Sequence, residues 1–211
     1  MFYRSTILRD MNFPNLLAYI RIVLTPVVMA FVLLNDYIEN SFGLAAGFFA
    51  VAALTDMADG YLARRWKITT TLGAFLDSVA DKVLVVGSLV VLIEVDRAWS
   101  WAAFIIIGRE LAVMALRGAA AMEKSKVPPS LWGKAKTVAQ FAAIWFAMLR
   151  LPEKWGPLFL DEWVMVIAVI MTLLSAWDYF RRFGNALFGS ARQVRSDDSF
   201  PLIKVIEGGK S

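Results

Sequence analysis

D-M-A-D-G-Y-L-A-R at 56–64, then eight residues, then G-A-F-L-D-S-V-A-D at 73–81: four carboxylates stand here within two otherwise apolar segments. On insertion scales an Asp at the centre of a membrane helix costs roughly 2.5–3.5 kcal/mol, so four together require cations to meet them. At about 100° per residue, Asp56, Asp59, Gly60 and Ala63 share an arc of roughly 100° on one helix. Gly73, Asp77 and Asp81 share about 80° on the next. Each helix thus carries one acidic face, and the small residues on it let a ligand or a second backbone come close.

Oxygen donors in this number suit Mg²⁺, Mn²⁺ or Ca²⁺, whereas zinc and copper sites usually recruit His or Cys. The chain has neither His nor Cys, which removes disulfides, thiol chemistry and imidazole ligands together. Magnesium is commonly held by a few carboxylates and the phosphates of its substrate, and a pair of ions can stabilise both the attacking and leaving oxygens of a displacement. The residues by themselves therefore point to metal-assisted chemistry on a phosphate ester.

Outward from this stretch, 59% of the 211 residues are hydrophobic and only 19% charged, the composition of an integral membrane domain. Segments of about 20 apolar residues span a bilayer. Six are predicted here, at 15–34, 42–65, 72–95, 99–122, 133–151 and 162–181, making the expected fold all-α with six transmembrane helices. Residues 1–14, with Arg4, Arg9 and Asp10 among Phe2, Tyr3, Ile7 and Leu8, read as a juxtamembrane amphipathic segment. The domain is expected to cover 1–182, with 183–211 a cytoplasmic tail of low order. Lys and Arg gather at alternate ends of the segments, at Arg64, Arg65, Lys67, Lys124, Lys126, Arg181 and Arg182, against Arg97, Arg150 and Lys154 at the others. The richer side is expected to be cytoplasmic, with both termini and the acidic cavity on it.

Cations inside the spans are the natural counterparts of the carboxylates. Arg21 either snorkels to the headgroups or reaches a substrate diphosphate. Arg109 stands in mid-helix with Glu110 about 100° away, so mutual neutralisation is not expected, and Arg117 falls within about 80° of Arg109. Two guanidiniums on one face suit a phosphate, which Arg binds bidentately; the alternative is pairing with the aspartates. Lys134 and Lys136 lie about 200° apart on the fifth helix, so both reach one ligand only at a frayed or rim position.

The stretch 56–81 resembles, at every specified position, the signature D-x-x-D-G-x-x-A-R, eight residues, G-x-x-x-D-x-x-x-D of the CDP-alcohol phosphotransferases. N-F-P-N-L-L-A-Y-I-R at 12–21, G-R-E-L-A-V-M-A-L-R at 108–117 and G-K-A-K-T-V-A-Q at 133–140 are similar to segments of one bacterial subfamily, the phosphatidylglycerophosphate synthases. That resemblance implies transfer of a phosphatidyl group from CDP-diacylglycerol to sn-glycerol 3-phosphate with release of CMP. It implies Mg²⁺ or Mn²⁺, as two ions, on Asp56, Asp59, Asp77 and Asp81, with Asp81 also the general base. Asp56, Asp59, Gly60, Ala63, Arg64 and Gly73 would take the nucleotide end of CDP-diacylglycerol. Arg109, Arg117, Lys134 and Lys136 would hold the acceptor phosphate. The resemblance further implies a homodimer in the bacterial cytoplasmic (inner) membrane; no nucleic-acid partner is expected. Rival readings are another acceptor, such as phosphatidylglycerol, inositol phosphate or serine; a membrane prenyltransferase; and a divalent-cation transporter, whose cargo the intramembrane arginines would repel.

Overall fold

The computed structural model describes residues 13–66, 71–122, 131–152 and 154–197, with side chains described at all of these except 13–15, 56–66, 71–72, 74–75, 119–122, 131 and 182–197. Six helices run through the described residues: α1 (Phe13–Leu33), α2 (Ser41–Trp66), α3 (Thr71–Glu94), α4 (Ser100–Met122), α5 (Leu131–Leu149) and α6 (Leu160–Asp197). Five match the predicted segments to within two residues at each end. The juxtamembrane segment expected at 1–14 lies outside the described residues but for its last two, which open α1.

The sixth helix differs. It passes the expected end near 181 and continues to Asp197, so low order is not what the backbone of 183–197 shows. A fading apolar pattern removes the reason for burial without breaking a helix. Gly184 and Gly189 cost roughly 1 kcal/mol each in a helix interior, and the next proline is Pro201. A short antiparallel hairpin was also not foreseen: Lys154 pairs with Phe159 and Trp155 with Leu158. Gly156 takes φ +76° at the first position of its two-residue loop, where a primed hairpin turn needs a positive φ. Strands of two residues are too short to show any periodicity.

The chain exposes large apolar side chains and buries polar ones within its apolar core. Val23, Leu54, Trp101, Phe104 and Trp177 are all more than 60% exposed, whereas Arg21, Thr25, Ser88, Glu110, Lys136, Gln140, Thr172 and Ser175 are buried. Water would reverse that distribution; a bilayer accommodates it, because polar groups there must face the bundle interior. Leu16–Leu33 and Leu160–Arg181 are long and apolar enough to cross a membrane by themselves. The protein is a helical membrane protein.

α1 packs along both α2 and α3, α6 along α5 and α4, and α5 crosses α2 and α3 to join the two sets. Their seams are rich in small residues, with Ala45, Ala46, Ala52, Ala102, Ala103, Ala143, Ala147 and Ala168 buried between larger plugs such as Phe49, Leu84, Leu92, Ile106 and Met148. Small side chains bring backbones close, and dispersion contacts replace the hydrophobic drive that lipid does not supply. Gly87 marks the tightest approach of α3 to α1 among the described glycines: a Cβ there would lie 2.9 Å from Thr25 Cγ2 and 3.0 Å from Met29 Sδ.

The end of the bundle remote from Asp81 is closed by two arginines. Arg97, in the α3–α4 turn, donates to the Met148 carbonyl at 2.6 Å, approaches that of Ala147 at 3.4 Å, and lies 3.4 Å from the centre of the Phe42 ring. It thereby satisfies carbonyls that the last turn of α5 leaves without an intrahelical partner. Burial, and then Arg150 beside it, lower the Arg97 pKa from the ordinary guanidinium value, with Asp161 opposing. Arg150 takes φ +37° just past α5, donates to the Asp96 carbonyl at 3.0 Å, and lies 4.0 Å from both Asp161 and Glu162.

Candidate active site

α3 carries the second half of the acidic stretch, and the described half of the site is built around it. Asp77 and Asp81 stand one turn apart, as their spacing predicts. The Asp77 side chain is 48% exposed and accepts an ion pair from Arg21 of α1 at 3.3 Å. Arg21 is fully buried, which speaks against snorkelling, and it pairs with Asp77. Asp81 is more enclosed: its Oδ1 is buried without a hydrogen-bond partner among the described residues, and its Oδ2 lies 4.0 Å from Lys82 Nζ. Gly73 lies at the start of α3, on the same face.

A bare, buried carboxylate oxygen one turn from a second, half-exposed carboxylate is a donor set that a hard divalent cation fits. Asp56, Asp59, Gly60, Ala63 and Arg64 lie on α2 by their backbone, and their side chains fall outside the described residues. The described carboxylates of the site are thus those of α3.

The cations of α4 and α5 arrange themselves around a carboxylate that sequence reasoning had passed over. Lys136 forms an ion pair with Glu110 Oε1, Arg109 Nη1 lies 3.3 Å from the same oxygen, and Lys82 Nζ lies 3.8 Å from Oε2. Adjacent residues point about 100° apart on a helix, and that spacing excluded an Arg109–Glu110 contact; the side chains nevertheless bend to meet. Both are long, and burial leaves each little access to water. Arg109 Nη2 also donates to Ser175 Oγ of α6 at 2.6 Å. One turn beyond Lys136, Gln140 donates to Thr172 at 2.9 Å, tying α5 to α6 beneath the cluster.

The four expected acceptor-phosphate residues do not all converge. Arg109 and Lys136 are turned into the bundle, whereas Arg117 is exposed, its guanidinium 6.0 Å from the Tyr179 ring, and Lys134 is exposed on the far side of α5. The 200° separation of the two lysines is kept, so only one reaches the interior. Neither arginine is seen paired with Asp77 or Asp81. Lys82 and Glu110 carried a usable signal, being charges inside apolar helices; Ser175 carried none.

Carboxylates on α3 beside buried cations, on helices that bear this signature, agree with a transferase acting on nucleotide-activated lipid phosphates. Comparison with known proteins agrees: the CDP-alcohol phosphatidyltransferase family profile matches residues 11–174, and the chain belongs to that family. Among curated relatives, a Bacillus subtilis protein is 34% identical over 187 residues, covering 83% of this chain and 97% of its own length. A Haemophilus influenzae protein is 40% identical, covering 79% of this chain and 88% of its own, and one from Pectobacterium atrosepticum is 41% identical, covering 83% and 94%. All three are named CDP-diacylglycerol–glycerol-3-phosphate 3-phosphatidyltransferase. The family generally uses divalent metals.

Proposed function

We propose that this membrane enzyme transfers the phosphatidyl group of CDP-diacylglycerol to sn-glycerol 3-phosphate, giving phosphatidylglycerophosphate and CMP. The observation that carries the reading is the side-by-side placement on α3 of the bare Asp81 carboxylate oxygen and Lys82, which joins the buried cations around Glu110. One end of that arrangement takes a proton and the other an anion.

The acceptor hydroxyl oxygen attacks the lipid-bearing phosphorus, a new P–O bond forms, the P–O bond to the CMP phosphate breaks, and CMP departs with the electron pair. Asp81 takes the hydroxyl proton; a base in hydrogen-bond reach contributes roughly 10²- to 10⁴-fold. Arg109 and Lys136 hold the acceptor's phosphate, so that its hydroxyl is presented to Asp81 rather than diffusing in the cavity. Arg117 and Lys134, at the exposed rim, fit a guiding role for anions entering from the headgroup region. Asp56, Asp59, Asp77 and Asp81 would hold Mg²⁺ or Mn²⁺, as two ions. When bound, the metal neutralises charge on the diphosphate and on the departing CMP. Gly60, Ala63, Arg64 and Gly73 would accommodate the nucleotide, and Arg21 keeps Asp77 oriented.

The remaining features of this reading are six bilayer-spanning helices in the bacterial cytoplasmic membrane and a cavity open to the cytoplasm. The clustering of Lys and Arg at alternate helix ends supports that orientation. The family resemblance supports a homodimer, and a domain of residues 1–182 followed by a cytoplasmic extension, with the helical part of that extension continuous with α6.

The test is CMP release from CDP-diacylglycerol by the purified protein in detergent, comparing glycerol 3-phosphate, phosphatidylglycerol, inositol phosphate and serine as acceptors. Glycerol 3-phosphate alone should drive release, a chelator should stop it, added Mg²⁺ or Mn²⁺ should restore it, and Asp81→Asn should be silent. Release driven by a different acceptor, or surviving chelation, would overturn the reading.

A further inference from the structure

Among the described residues, Glu110 is the carboxylate met by cations from three helices. Lys82 of α3, Arg109 of α4 and Lys136 of α5 all reach it, and the four side chains are only 19%, 10%, 5% and, for Glu110 itself, 9% exposed. Three positive charges brought so close in a poorly solvated interior repel one another, and each has lost most of its water. A carboxylate among them relieves that repulsion. It also fixes their spacing, because Oε1 serves Lys136 and Arg109 while Oε2 faces Lys82.

The balance is incomplete. Lys82 also lies 4.0 Å from Asp81, so two carboxylates stand against three cations and the cluster keeps a net positive charge, the sign that attracts a phosphomonoester. Ser175 holds the second arm of Arg109 and leaves the guanidinium edge fixed in the same place.

We propose that Glu110 is a positioning residue for the acceptor: it gathers Lys82, Arg109 and Lys136 into a cluster of net positive charge, which receives the acceptor's phosphomonoester. This rests on the acceptor-phosphate reading above. Glu110 acts through its three partners and does not touch the acceptor. The cluster favours a dianionic phosphomonoester acceptor over a neutral or zwitterionic one.

The experiment measures KM separately for glycerol 3-phosphate and CDP-diacylglycerol on the purified full chain in detergent with Mg²⁺, together with the melting temperature. Glu110→Gln keeps the volume and loses the charge. It should raise KM for glycerol 3-phosphate by about tenfold, as expected for the loss of one charge-assisted hydrogen bond, while KM for CDP-diacylglycerol stays within about twofold. Glu110→Asp should recover part of the loss, and it is read the same way if the glutamine variant does not fold. An unchanged KM for glycerol 3-phosphate in Glu110→Gln, or an equal rise in both constants, would overturn the proposal. Lys136→Met separates the two levels. If it raises KM for glycerol 3-phosphate where Glu110→Gln does not, the positioning role fails and the acceptor site stands; if it leaves that KM unchanged, the acceptor site itself is misassigned.

Discussion

Replacing Arg97 by alanine should loosen the bundle without touching its chemistry. The guanidinium donates at 2.6 Å to the Met148 carbonyl, lies 3.4 Å from that of Ala147, and stacks at 3.4 Å on Phe42. A hydrogen bond from a charged donor contributes about 1.5–3 kcal/mol, and a cation over an aromatic face about 0.5–2 kcal/mol, the lower values applying where water reaches the group. Arg97 is half-buried, so the sum is taken near the low end, at about 3 kcal/mol. For a chain of this size each kcal/mol shifts the melting midpoint by about 2–4 °C, which predicts a fall of about 6–12 °C. Arg97→Lys should recover only part of that, because an ammonium keeps the charge but loses the planar fork. The assay is thermal unfolding of the purified protein in detergent, with CMP release measured well below the transition. Asp81 lies about 20 Å of helix from the end of α3, so turnover per folded molecule should be unchanged. A midpoint within about 2 °C of the parent would refute the capping argument, and lost turnover with an unchanged midpoint would mean that Arg97 serves the site instead.

Gly87→Val would press a branched side chain against Thr25 Cγ2, already 2.9 Å from where a Cβ would stand; Thr25 is held by its own bond to the Arg21 carbonyl at 2.9 Å. A cost of about 1–3 kcal/mol is expected from overpacking, read as a lower melting midpoint. Because the same α1–α3 seam carries Arg21 and Asp77, turnover should fall with it. Ser175→Ala removes the acceptor of the Arg109 Nη2 hydrogen bond. A loss of about 1 kcal/mol corresponds to roughly a fivefold higher KM for glycerol 3-phosphate in initial-rate measurements, with KM for CDP-diacylglycerol unmoved.

Much of the architecture was legible because a membrane imposes simple constraints. A helix must satisfy its own backbone, and about 20 apolar residues cross the core, so α1 to α5 could be bounded to within two residues. The end of α6 was not legible by the same means. Beyond 181 the sequence loses its apolar pattern, yet no proline interrupts the helix up to Asp197, and hydropathy reports burial rather than backbone conformation. The hairpin at Lys154–Phe159 was hidden by its length.

At the site, sequence alone determined which residues share a face: Asp77 with Asp81 on α3, and Lys134 opposed to Lys136 on α5, follow from helical period and hold in the structure. It also narrowed the chemistry: carboxylates at fixed spacing in a chain without His or Cys point to a hard divalent cation, and the transfer reaction followed from the resemblance of 56–81 to the family signature. Pairing across helices was decided only by tertiary structure. Arg21 finds Asp77, Arg109 finds Ser175, and Lys82, Arg109 and Lys136 meet on Glu110, because a buried charge takes whatever partner the packing brings within reach of a long, flexible side chain. Periodicity gives the direction in which a residue leaves its helix; it does not give the length over which that side chain then bends, nor the neighbour it finds there.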